Sequence, residues 1–183
     1  MHTVDRTVSR IRHVFSATKQ NEVWLTDITE HPTAEGKLYL CAVKGVFSNR
    51  IVGYSIDSRM KSSLAAAAIR NAITQRGPNN TICHSDRGSQ FRSKKVVKLL
   101  RNNGMRGSMG RVGAAGDNAS MESFYSLLQK NVLNTRRWTT RDELRQEIVY
   151  WIEAKYNRRR RQRGLGRLTP VEFETINQPA LVG

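Results

Sequence analysis

Apolar runs are short throughout this 183-residue chain, and none approaches the roughly 18–20 residues that a membrane-crossing helix requires. The opening stretch MHTVDRTVSRIRHVFSATKQ holds no apolar signal-peptide core, which reads as a cytoplasmic chain. Cysteine is scarce too. Cys41 and Cys83 each sit inside an apolar, strand-like run, where a buried free thiol is expected rather than a disulfide. With the four histidines they show no zinc-ligand spacing, which argues against a zinc module. Acids are the third scarcity: 15 Asp and Glu stand against 31 Lys and Arg, a net charge of +16. A surface built only for solubility would be closer to balance. Nucleic acid is the first partner such charge selects, because neutralised phosphates release condensed counterions. An anionic membrane would require a basic amphipathic helix or a lipid anchor, and no membrane partner is expected.

What is present suits one globular domain, with 38% apolar residues and no internal repeat. Residues 22–28 are rich in β-formers and break at EHPTAEG; 37–43 and 50–56 are two further strands, and the short links predict an antiparallel meander. The alanine-rich stretch after Met60 reads as a helix capped by Ser62 or Ser63 and stopped at Gly77-Pro78. A fourth strand at 81–85, a helix over 93–104 and a short strand at 105–109 follow, then a loop over 110–120. Helix resumes around Asn118, and the last long helix, from Thr140, places Leu144, Ile148, Trp151, Ile152 and Tyr156 on one face. Strands and helices in this order make a mixed α/β fold with a crossover.

Three acids stand out by position. Asp27 lies inside the first strand, between Leu25 and Ile28; Asp86 closes the fourth strand, where ligands of α/β sheets usually sit; Glu122 falls in the first turns of a helix. Taken singly, each has a structural alternative, and for Glu122 the helix macrodipole suffices. Taken together, carboxylates converging from separate elements suit a pair of Mg²⁺ (or Mn²⁺) ions acting on a phosphodiester. Metal between Asp86 and DNA would reverse their repulsion.

The stretches WLTDIT, HSDRGSQF and DNASMESF, with 35 residues between Asp86 and Glu122, resemble the Asp, Asp and Glu of retroviral-integrase-like (DDE) transposases. The resemblance is closest to insertion-sequence transposases made by fusing two reading frames, and extends from about Asn21 to Glu174 through FSNRIVGYSI and YNRRRRQRGLGRLTPVEFE. It implies a ribonuclease-H-like, five-stranded mixed sheet flanked by helices, with Asp27, Asp86 and Glu122 as catalytic metal ligands for two ions. It also implies metal-dependent cleavage at element ends and attack of the freed 3′-hydroxyl on target DNA. The expected partners are transposon-end and target DNA, further copies of the chain, and the first-reading-frame product or a full-length transposase, in a bacterial, nucleoid-associated setting. The integrase-like core is expected over 21–176, between a basic leader (1–20), short beside full-length relatives, and a tail (177–183). A non-catalytic DNA-binding remnant and a ribonuclease-H-type nuclease are the competing readings.

Around the acids, His84 either shapes the metal site or is a strand-end histidine hydrogen-bonded to backbone. Gly88 reads as a backbone turn first and a close approach to DNA second. Asn118 is either a cap or a support for Glu122. Lys130, two turns beyond Glu122, and Arg158, Arg159, Arg160, Arg161 and Arg163 are the expected DNA contacts. Gly45 stands where members of the resembled family commonly carry an acid, and weakens its strand.

Overall fold

The computed structural model describes residues 16–110 and 119–179. Strands β1 (Val23–Thr33), β2 (Gly36–Gly45) and β3 (Ile51–Asp57) form the expected antiparallel meander. Helix α1 (Ser62–Arg76) crosses to β4 (Ile82–Ser85), which runs parallel to β1. Helices α2 (Ser89–Arg92) and α3 (Lys94–Asn102) lead to β5 (Arg106–Met109), parallel to β4. The sheet order is β3-β2-β1-β4-β5, so β1 is central. Helices α4 (Ala119–Asn131), α5 (Arg141–Tyr150) and α6 (Pro170–Ile176) follow, and a π-helical turn, Trp151–Tyr156, extends α5.

Alternation along the strands divides two cores. On one face Trp24, Cys41, Val43 and Cys83 pack against α1 and α3; on the other Leu25, Leu40 and Ala42 pack against Phe124, Leu128, Leu144 and Ile152. The alanines of α1 bring it close to β3: a methyl added to Gly53 would lie 2.6 Å from the Ala72 Cβ and 2.7 Å from the Ala68 carbonyl oxygen. Both cysteines are buried and free, as expected.

Several boundaries differ from the sequence reading. β1 runs on to Thr33, past Pro32. β4 pairs with β1 only over Val23–Leu25, so the far half of β1 has β2 alone beside it, an edge that tolerates a missing N–H. Lys61, with no side-chain bond, occupies the N-cap of α1 in place of Ser62 or Ser63. The short helix α2 was not expected. Ser93 caps α3, its oxygen accepting from the Val96 N–H. Gly77, at φ 56°, ends α1 as anticipated.

β3 is an edge strand, yet its start is not open. The buried Asn157 side chain accepts from the Ile51 N–H at 3.0 Å and donates to the Ile51 carbonyl at 3.0 Å, as a neighbouring strand would. Further along, Asn71 Nδ2 donates to the Tyr54 carbonyl at 2.9 Å.

Candidate active site

The parallel pairing of β1 with β4 sets the site. Leu25 is opposite His84, so the same register carried two residues further sets Asp86, just past the end of β4, level with Asp27 on β1. Leu25 faces the α4–α5 core and Trp24 and Cys83 the other, so continued alternation turns both acids toward α4. Cys41, on the opposite face, senses both carboxylates. Burial pushes its thiol up to about 12, against an opposing hydrogen bond with Thr26 and with small additions from Cys83, Asp27 and Asp86. Asp86 is exposed and Asp27 partly so, which leaves both open to solvent-borne ligands.

Asp86 is held by its own turn. The Gly88 N–H donates to Asp86 Oδ1 at 2.7 Å, and Arg87 Nε donates to the Gly110 carbonyl at 2.8 Å, latching the end of β4 to the end of β5. Gly88 has an ordinary φ of −59°, so the turn imposes no left-handed backbone. Its lack of a Cβ serves the carboxylate instead: a methyl there would sit 2.8 Å from Asp86 Oδ1. This corrects the turn-first reading of Gly88.

Glu122 is exposed in the first turn of α4. Helix α4 is docked on β1 by Met121, Phe124 and Leu128, and by the Tyr125 hydroxyl, which donates to the Asp27 carbonyl oxygen. Tyr125 lies one turn beyond Glu122, so the helix face carrying the third acid is the face that meets Asp27. Among the described residues, no three His, Cys, Asp or Glu side chains form a metal-ready group. The acids contribute only carboxylate oxygens, the donor type that suits Mg²⁺ or Mn²⁺ rather than a soft metal.

A residue missed in the sequence completes the surroundings. Lys44 is opposite Leu25 and therefore on the α4 face; it is buried, and its Nζ donates to the Ser120 carbonyl at 2.9 Å, tying the start of α4 to β2. Burial pulls its pKa from 10.5 down to about 8. A lysine inside an apolar run, CAVKGVF, was the available signal.

Of the other expected residues, His84 is buried and its Nδ1 shares a 3.1 Å hydrogen bond with Ser108 Oγ across β4 and β5. Lys130 is exposed in the last turn of α4. Asn118 lies outside the described residues. Arg158, Arg159, Arg160, Arg161 and Arg163 are exposed, and the first of them follows Asn157 at the β3 edge, three strands from β4. Trp151 and Tyr156 are core residues beside Phe124, with ring centroids 5.8 and 5.0 Å from it.

A five-stranded mixed sheet with this order, flanked by helices, defines a ribonuclease-H-like core of the kind found in retroviral integrases. The fold matches a chain of the simian T-cell lymphotropic virus intasome with TM-score 0.73 at 18% identity, covering 93% of this chain and 59% of that one. It also matches the HTLV-2 integrase catalytic core domain solved with magnesium, with TM-score 0.64 at 16% identity over 89% of this chain and 99% of that one. The chain belongs to the integrase core domain family, matching it over residues 17–115, with a second integrase core match over 103–170. It is 42% identical over 168 residues to the transposase for insertion sequence element IS904 of Lactococcus lactis subsp. lactis, covering 91% of this chain and 66% of that protein. It is 37% identical over 164 residues to transposase InsF for insertion sequence IS3A of Escherichia coli K12, covering 89% and 57% respectively. The chain thus spans about three-fifths of the length of these relatives.

Proposed function

We propose that this chain is the catalytic core of a DNA transposase, which cleaves DNA at the ends of a mobile element and joins the freed 3′-hydroxyl to target DNA. The reading is supported by the β1–β4 register, which carried two residues beyond the Leu25–His84 pair sets Asp86 level with Asp27, and by the docking on β1 of the helix that carries Glu122. Two divalent cations, Mg²⁺ or Mn²⁺, would be held by these three carboxylates and, when bound, supply Lewis-acid stabilisation of charge on the phosphodiester oxygens.

The chain's own residues do the positioning. The Gly88 N–H fixes one oxygen of Asp86, Tyr125 fixes the register of α4 on β1, and Lys44 fixes its start. Orientation of this sort counts for much in phosphoryl transfer, where misplacement by about 1 Å costs on the order of 100-fold. No side-chain nucleophile is required, because water and then the DNA 3′-hydroxyl attack. The exposed basic surface supplies the sequence-independent attraction to the duplex. Relatives act in transposition, and we extend that role, with self-assembly on two DNA ends, to this chain.

The test is cleavage and strand transfer on a labelled duplex carrying the element's own end, with Mg²⁺ or Mn²⁺, for wild type beside Glu122→Gln. Glu122→Gln is expected to lose at least about 100-fold in rate while binding duplex as wild type does. No product from either protein, with duplex binding intact, would point to a non-catalytic remnant. Cleavage confined to RNA–DNA hybrids would favour a ribonuclease H activity.

A further inference from the structure

From Arg87 to Gly110 the chain carries seven basic side chains and no acid. Helix α3 gathers most of them. Lys94, Lys98 and Arg101, spaced four and three residues apart, form one stripe, while Val96 and Leu100 face the core. The arrangement works against the free helix. Lys94 and Lys95 occupy its first turn with no acid, at the positive end of the macrodipole, and like charges one turn apart repel. Ser93 already caps the helix, so these lysines are not needed to start it. A local rule broken without local compensation marks a binding surface.

The stripe also lies near the end of β4, the strand that leads to Asp86. A surface depression of about 350 Å³ is lined by Arg92, Lys94, Val97, Lys98, Arg101 and Asn102, four cations and no acid. Val97 and Arg101 also line a neighbouring cavity of about 340 Å³, whose wall includes Ser85, next to Asp86. The basic surface therefore approaches the end of β4 from the α1–α3 side of the sheet, opposite the face toward which Asp86 turns. The arginine run Arg158–Arg161 starts beside the β3 edge instead, about 14 Å away laterally at the usual strand spacing.

We propose that the α2–α3 face, carrying Arg92, Lys94, Lys98 and Arg101, is a second phosphate-binding track that holds a DNA duplex backbone beside Asp86, whatever the base sequence. This rests on the reading of the chain as a DNA transposase core. From Lys94 to Arg101 the stripe runs about 10 Å, the axial length of about three successive phosphates on one strand.

The test is duplex binding by fluorescence anisotropy, with a labelled mixed-sequence DNA, over a series of salt concentrations. Wild type is compared with Lys94→Gln/Lys98→Gln/Arg101→Gln and with Arg158→Gln/Arg159→Gln/Arg160→Gln/Arg161→Gln. The α3 triple variant is expected to reduce the slope of log affinity against log salt by about 2 to 3, at about 0.9 per lost phosphate contact. Its Tm should equal or exceed that of wild type, because repulsion is relieved, so lost binding is not lost folding. An unchanged slope in the triple variant, with wild type binding DNA and transferring strands, overturns this inference alone. A triple variant that keeps its duplex slope but loses binding to phosphatidylserine vesicles would assign the face to a membrane and overturn it too. Wild type without any duplex affinity would overturn the transposase reading as well.

Discussion

At Gly88 the backbone leaves room for a hydrogen atom and little more, because an added methyl would meet Asp86 Oδ1 at 2.8 Å and Gln90 Oε1 at 3.0 Å. Gly88→Ala is backbone-compatible at φ −59°, so its effect falls on the carboxylate it displaces. We expect strand transfer to drop by about 10- to 100-fold with the melting temperature within a few degrees of wild type; calorimetry beside a strand-transfer assay checks both. Lys44 acts in the opposite sense. Its burial lowers its pKa to about 8, so between pH 8 and 10.5 the folded chain holds fewer protons than the unfolded chain, and stability rises with pH through that window. Lys44→Met should abolish that rise and add on the order of 2–3 kcal/mol below pH 8, read by urea titration at pH 7 and pH 10. The carbonyl it releases, Ser120, lies within helix α4.

Elements close the fold through pairs that no local pattern announces. Glu174 of α6 is almost fully buried and bridges Arg50 at 2.8 Å and Arg76 at 2.5 Å, residues 124 and 98 positions away, while accepting from Ser48 Oγ at 3.1 Å. One carboxylate thereby pins the last helix to the residue before β3 and to the end of α1. Glu174→Gln leaves two guanidinium groups without their counter-charge, and we expect a loss of about 3–4 kcal/mol, measured by urea denaturation. The meander was legible because strand alternation and turn residues are local signals, and the burial of Leu144, Ile148, Trp151, Ile152 and Tyr156 because helical spacing is local as well. The π-helical turn at Trp151–Tyr156 was not, since over a single turn the spacing of Trp151, Ile152 and Tyr156 suits an α-helical and a π-helical turn alike. The extension of β1 past Pro32 depends on where β4 stops pairing, which is a property of the sheet and not of the stretch itself. The three acids were read from their context and their resemblance to a family; Lys44 had a local signal in its apolar run, whereas the role of Glu174 and the placement of the α3 stripe required the fold.

For the whole molecule the governing quantity is a net charge of +16. Such a chain binds polyanions through released counterions, and we expect duplex affinity to fall by about 10³-fold or more between 50 and 200 mM salt if some six phosphates are contacted, checked by anisotropy. An affinity that ignores salt would remove the phosphate contacts from the account. The same charge repels one copy from another, so the proposed assembly on DNA would depend on the DNA to neutralise it. The two asparagines on the β3 edge add a directional limit to that assembly. With Asn157 already answering both polar groups of Ile51, and Asn71 answering the carbonyl of Tyr54, a strand from a second copy would have to displace these side chains to pair with the first half of β3. The start of that edge is thus guarded by side chains carried on α1 and on the turn after α5, which makes it a poor template for fibrous growth at that place.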